Sequence, residues 1–116
     1  MNTQIEATLR DASNTNDLGR CFLFSRDGTT LLEIRRAKLA GQLVSALVGD
    51  RGRIKALIAS LEAESGPVLY GQVSETAAAV QLKNGTVVAI FIARKADDLE
   101  LYNMCLEPKE QLDRIS

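Results

Sequence analysis

The segment from Ala77 to Ala93 constrains the fold of this chain most, because two apolar runs flank the dipeptide Asn84-Gly85. Asn-Gly is the preferred dipeptide of a type I′ hairpin, so the runs Ala77–Leu82 and Thr86–Ala93 are predicted to pair as antiparallel strands. The second run is almost free of polar residues, which is typical of a strand that is covered on both faces. We therefore expect this strand to lie centrally in a sheet.

A second hairpin is predicted near the start of the chain. The apolar runs Cys21–Ser25 and Thr29–Ile34 flank Asp27-Gly28, and Gly28 can supply the positive φ of a tight reversal. Val68–Ser74 follows the breaker Ser65-Gly66-Pro67 and is predicted to be a fifth strand, in which Gly71 marks a bulge or a close approach. Its connections favour an edge strand with unpaired backbone groups.

Three segments have helical periodicity: residues 3–13, residues from Ala37 to about Ala63, and residues from Asp97-Asp98 to Ile115. Together with the five predicted strands, these helices predict an α/β fold class. The long helix carries a stripe of aliphatic residues, which are Leu39, Ala40, Leu43, Val44, Leu47, Ile54, Leu57, Ile58 and Leu61.

Two positions bear on the continuity of these helices. The aliphatic phase carries on from Leu47 to Ile54, which favours a continuous or merely kinked long helix. The alternative is a break at Gly49–Gly52, because each interior glycine costs about 1 kcal/mol relative to alanine. In the last helix, Pro108 predicts a kink or a restart near Glu107, since proline removes a backbone hydrogen bond.

The opposite side of the long helix carries mostly small residues, which would let another backbone approach closely. Together with the edge strand, this side is predicted to form a twofold interface between two chains. The alternative is that the small residues simply face solvent. The predicted interface residues are Gly41, Ser45, Val48, Gly49, Gly52, Ala56, Ala59, Val68, Tyr70 and Gln72.

The sequence offers little for catalysis. It contains no histidine, which excludes imidazole bases and histidine-ligated metals, and it lacks glycine-rich phosphate loops. Cys21 and Cys105 lie in apolar patterns and are interpreted as buried hydrophobes. The acidic residues Asp27, Asp97, Asp98 and Glu100 are interpreted as turn and capping residues. We therefore expect no enzyme activity, no cofactor and no bound metal.

Net charge, composition and the apparent lack of targeting segments limit the classes of binding partner and the cellular location that we expect. The formal net charge is −1 and only 4% of residues are aromatic, which argues against nucleic-acid binding. The cluster Arg35-Arg36 with Lys38 is either a solvated turn or an anchor for an acidic partner. Neither a signal peptide nor a spanning segment is evident. We expect one cytoplasmic domain over residues 1–116, with no direct membrane insertion.

The order helix, hairpin, long helix, three strands and helix resembles the roadblock/dynein light chain family. The stretches that carry the resemblance are Leu18–Gly28, Ala37–Leu61, Thr86–Ile92 and Asp98–Leu101. The departures are Asp50 and Arg51 in the long helix, Pro108 in the last helix, and Arg35-Arg36.

The resemblance implies a five-stranded antiparallel sheet between one long helix and the N- and C-terminal helices. It also implies a non-catalytic homodimer or heterodimer that pairs through the long helix and the third strand. Roadblock proteins are platforms for small Ras-like GTPases or subunits of motor and signalling assemblies, so the expected partner is a small GTPase or a related roadblock-like subunit. Profilin-like folds, including longin and sensor domains, share this topology. The alternative function is therefore a small-molecule sensing domain with a cavity between sheet and helices.

Overall fold

The computed structural model describes residues 3–36, 44 and 47–115. Within these residues the chain forms helices and strands in the order α1 (Thr3–Thr15), β1 (Arg20–Phe24), β2 (Thr30–Arg35), α2 (Arg51–Glu62), β3 (Tyr70–Ser74), β4 (Ala77–Gln81), β5 (Val87–Phe91) and α3 (Asp98–Ile115).

The strands form one five-stranded antiparallel sheet in the order β2-β1-β5-β4-β3. The predicted fold class is confirmed, and so is the central place of β5. Every residue of β4 and β5 is buried, as expected of strands that are covered on both faces. The sheet has two edges, β2 and β3, so the prediction that the third strand lies at an edge is also confirmed.

The two faces of the sheet belong to separate apolar clusters because successive strand side chains point to opposite sides. On one face, Leu9 of α1 and Leu101 of α3 pack with residues such as Cys21 and Ile90. On the other face, helix α2 packs with a cluster that contains all three phenylalanines of the chain. Within that cluster the rings of Phe22 and Phe91 meet edge to face, with their centroids 5.6 Å apart.

The turn between β1 and β2 positions the start of α2. Gly28 has φ +90° and is buried beneath Arg51, so the predicted positive φ is confirmed. The Arg51 guanidinium donates from Nε to the Asp27 carbonyl at 3.0 Å and from Nη2 to Asp27 Oδ2 at 2.9 Å. The hairpin and the first turn of α2 are thereby held together, which fixes where the helix begins over the sheet.

The long helix is interrupted where Asp50 caps α2. Val44, Leu47 and Val48 are helical, but Asp50 is extended, with φ −128° and ψ 99°. Its Oδ1 accepts from the backbone N–H of Arg53 at 3.2 Å. The favoured continuous helix is wrong at this point, and the alternative break is correct. The physical reason is that an N-cap aspartate satisfies a free N–H of the new helix, while Gly49 contributes little to continuing the old one. Residues 37–43, 45 and 46 of the predicted helix lie outside the described residues.

Helix α3 passes through Pro108 without restarting, so the predicted restart near Glu107 is wrong. The missing N–H removes one bond to the carbonyl of residue 104. Cys105, Pro108 and Leu112 are all buried on the core side of α3, and this burial offsets the lost bond.

Glycine 71 allows α2 to approach β3. A Cβ built at Gly71 lies 2.9 Å from Cδ2 of Leu61, which is closer than real Cβ atoms come to a neighbour. The predicted close approach is therefore confirmed, and it places the end of α2 over the β3 edge of the sheet.

Replacing Asp50 by alanine removes the cap of α2. We expect Asp50→Ala to lower the free energy of unfolding by about 1 kcal/mol. Urea denaturation followed by circular dichroism measures the change. Asp50→Asn is the control, because it keeps the capping oxygen but loses the ion pair with Arg53 at 3.5 Å. An alanine variant as stable as the wild type would contradict the capping role.

Candidate interaction surface

Among the residues that the structure describes, no strand pairs with the outer edge of β3, which is therefore called the free edge. The strand pairs with β4 on one side, with Tyr70 opposite Val80 and Gln72 opposite Ala78, and it ends the sheet on the other. A register shift between Gln72 and Ser74 interrupts the pairing with β4. Backbone groups along a free edge can form hydrogen bonds with another extended strand.

The outer face of α2 lies close to this edge and presents small side chains to solvent. Ile54, Ile58 and Leu61 are buried on its inner face, whereas the predicted interface residues Gly52, Ala56 and Ala59 are exposed on its outer face. Because Leu61 contacts Gly71, this small-residue face and the β3 edge form neighbouring parts of one surface.

The remaining helix residues of the predicted interface lie before the break. Gly49 is exposed, and Val48 is half-buried against the phenylalanine cluster. Gly41 and Ser45 lie outside the described residues.

The predicted strand residues lie on the other face of the sheet. Val68 and Tyr70 pack against the cluster of α1 and α3, whereas the exposed Gln72 bonds from Nε2 to the Ser74 carbonyl at 3.0 Å. The Tyr70 ring meets Tyr102 edge to face at 5.1 Å, and its hydroxyl donates to Asp98 Oδ1 at 2.8 Å.

Burial and the bond to Asp98 raise the pKa of the Tyr70 hydroxyl above its ordinary value. Val68 and Tyr70 therefore pack on the sheet face that α1 and α3 cover, away from the small residues of α2. The sequence pattern contained the signal for this separation, because alternate strand residues point to opposite faces.

The charges along α2 are divided between its two halves. Arg51, Arg53 and Lys55 lie in the first half, Glu62 is the last residue of the helix, and Glu64 follows it. This order opposes the helix macrodipole, which favours acidic residues at the N-terminus and basic residues at the C-terminus. Arg51, Arg53 and Glu62 pair with Asp27, Asp50 and Arg26 of the same chain.

Two large apolar side chains are exposed that the sequence analysis did not single out. Leu99 at the start of α3 is 68% exposed, and Leu31 on the β2 edge is 41% exposed. The helical phase could have identified Leu99, since it falls opposite the buried face that contains Leu101 and Cys105.

The chemistry-bearing residues serve structural roles where the structure describes them. Asp97 caps α3 by accepting from the backbone N–H of Glu100 at 2.8 Å, and Asp27 sits in the β1–β2 turn, as predicted. No group of three potential metal ligands is found within residues 3–36, 44 and 47–115. Among those same residues, no helix is long and apolar enough to cross a membrane.

Both cysteines are buried and reduced. Burial raises the pKa of Cys21 to about 12, and burial also raises the pKa of Cys105 well above its ordinary value. Since the thiolate is the reactive form, neither thiol is suited to nucleophilic chemistry.

Comparison with known proteins identifies the fold. No family model matches the chain, and no curated protein matches it in sequence. MglB from Myxococcus xanthus superimposes with a TM-score of 0.63 at 14% identity, over 97% of this chain and 87% of that one. An MglB structure with a tetrameric arrangement gives 0.63 at 15% identity, over 97% and 88%. LokiProfilin1, solved in complex with rabbit actin, gives 0.57 at 14% identity, over 100% and 98%.

The chain thus has an α/β fold that it shares with MglB and with LokiProfilin1. The resemblance to the roadblock family is confirmed at the level of the fold, which the chain shares with MglB.

The burial of the two thiols predicts slow modification. At pH 8 we expect Cys21 and Cys105 of the folded chain to react with an aromatic disulfide reagent at least ~100-fold more slowly than in urea. The release of the coloured thiolate measures both rates, and the unfolded chain is the control. Rapid reaction of either thiol in the folded chain would contradict its burial.

Proposed function

We propose that this chain is a non-catalytic, dimeric scaffold that docks a small Ras-like GTPase. The observation that carries the proposal is the free β3 edge next to the exposed small-residue face of α2. Two copies related by a twofold axis at this edge would pair their β3 strands antiparallel and extend the sheet. Of the residues predicted from the sequence, Gly52, Ala56 and Ala59 contribute exposed positions on α2 to the proposed surface, and Tyr70 and Gln72 contribute the backbone of the β3 edge.

The charges of α2 support pairing with a second copy of the same chain. In an antiparallel arrangement, Lys55 of one helix lies near Glu64, just beyond the end of the other helix, whereas Arg53 and Glu62 pair with Asp50 and Arg26 of their own chain. Contacts of Lys55 with Glu64 favour the antiparallel orientation and disfavour a parallel one, in which like charges would meet. Glycine and alanine at positions 52, 56 and 59 would let the two backbones approach closely.

The assignment of a GTPase as partner rests on the roadblock-type fold. Roadblock proteins commonly serve as platforms for small Ras-like GTPases, and the chain shares its fold with MglB over nearly its whole length. LokiProfilin1, which has the same topology, is seen in complex with another protein. A related roadblock-like subunit or a motor or signalling assembly is the second class of partner within this proposal.

The domain organisation, the location and the lack of a cofactor are proposed as the sequence predicts them. Residues 1–116 act as one roadblock-like domain in the cytoplasm, without a cofactor. The alternative of a sensing domain with a cavity between sheet and helices has less support, because apolar side chains such as Phe22, Ala79 and Ile90 fill both faces of the sheet.

A large charged side chain on the outer face of α2 should weaken the dimer. We expect Ala59→Arg to shift the mass measured by light scattering from two chains towards one at micromolar concentration, because the new side chain separates the two helices. Ala7→Arg is the matched control, since Ala7 is exposed on α1, outside the proposed surface. A wild-type mass of one chain, or equal masses for both variants, would contradict the proposed interface.

Direct binding tests the GTPase partner. We expect the purified chain to bind at least one Ras-like GTPase from the same organism in calorimetry, with GDP and a non-hydrolysable GTP analogue compared for each. An unrelated acidic protein of similar size is the control. If none of the GTPases binds in either nucleotide state, the scaffold acts on another class of partner and this proposal fails.

A further inference from the structure

A pocket lies at the end of the sheet, apart from the proposed interface residues. It has a volume of about 450 Å³ and is bounded by the β4–β5 turn, the end of α2 and the middle of α3. This volume falls within the range of roughly 300–1,000 Å³ that is usual for small-molecule sites.

Positive charge predominates among the residues that line the pocket. Arg26, Lys83 and Lys109 reach it from three different parts of the chain, whereas Glu62 is the acidic residue among the described lining residues. This excess is notable because the whole chain has a net charge of −1. An anion entering the pocket would therefore meet a favourable local potential.

The three basic side chains of the pocket differ in whether a carboxylate of the same chain pairs with them. Arg26 pairs with Glu62 at 3.0 Å, and Lys109 pairs with Asp113 in the same helix. Lys83 forms no ion pair within 4 Å in the part of the chain that the structure describes, and it interacts with the Asp113 carboxylate only over a longer distance. Its ammonium group is thus the cation with the most capacity for an added anion.

The turn that carries Lys83 is held in place on both sides. The backbone N–H of Lys83 donates to Asp113 Oδ1 of α3 at 2.9 Å. Gln81, which is only 6% exposed, donates from Nε2 to the Gly85 carbonyl at 3.1 Å and to Glu62 Oε2 at 3.3 Å. A site held in this way loses little conformational entropy when a ligand binds.

An apolar wall lies beside the charged groups. Pro67 and Leu69 present apolar surface to the same pocket, whereas Leu82 contributes little because it is only 5% exposed. This wall can cover an apolar group of modest size, which a bare inorganic ion does not possess.

We propose that this pocket binds a small organic anion in which one phosphate or carboxylate group stands next to a short apolar portion. Lys83 and Arg26 hold the charged group, and Pro67 and Leu69 cover the apolar portion. The site is independent of the proposed dimer and of the proposed GTPase.

Titrations followed by ¹H–¹⁵N NMR test the site, with phenyl phosphate and benzoate as amphipathic anions and inorganic phosphate as the bare ion. We expect saturable shifts at the backbone amides of Lys83, Asn84 and Gly85 for at least one amphipathic anion, with tighter binding than for inorganic phosphate. Comparing phenyl phosphate with benzoate shows which of the two headgroups is preferred.

Matched variants separate the site from general attraction to surface cations. We expect Lys83→Gln to weaken binding of the amphipathic anion by about tenfold. Lys95→Gln should leave it unchanged, because Lys95 is exposed, pairs with Glu75 at 3.3 Å and does not line the pocket. Absence of saturation, equal affinities for the two variants, or equal binding of inorganic phosphate would overturn the proposal.

Discussion

The structure depends on the burial of both faces of β4 and β5. Ala77–Gln81 and Val87–Phe91 carry apolar side chains on alternating sides, so the sheet can exclude water only if helices cover both of its faces. Helices α1 and α3 cover one face and α2 covers the other. The helices pack over the central strands, and β2 and β3 form the two edges of the sheet. The free β3 edge on which the proposed interface depends is therefore a consequence of how the core is built.

The position of α2 depends on contacts that are distant in sequence. Asp50 starts the helix, Arg51 ties it to Asp27, and Gly71 lets Leu61 reach the β3 strand. These contacts place the outer face of α2 next to the free edge. The unpaired backbone groups of β3 and the small and charged side chains of α2 therefore lie on one surface. At the end of the sheet, Gln81 and Asp113 hold the β4–β5 turn and thereby shape a second, cationic concavity.

Much of the fold could be predicted because its signals are local. Asn84-Gly85 and Asp27-Gly28 specify reversals through backbone geometry, and the apolar run of β5 shows that it is central. The break at Asp50 was harder to predict, because the aliphatic phase passes through it unchanged. Whether a helix continues there depends on the balance between one capping bond and packing with distant residues. Of the kink or restart predicted at Pro108, the restart does not occur, and the burial of Pro108 on the core side of α3 helps to offset one lost hydrogen bond.

The sequence by itself determined the strands, their hairpin pairing, the buried stripe of α2 and the lack of histidine chemistry, because each depends on residue type and short-range spacing. Only the tertiary structure decided that Tyr70 faces α3 while the small residues of α2 lie on the opposite side, and that three cations from separate parts of the chain converge on one pocket. Such arrangements arise from packing between elements far apart in sequence, and a periodic pattern contains no information about which distant side chains will meet.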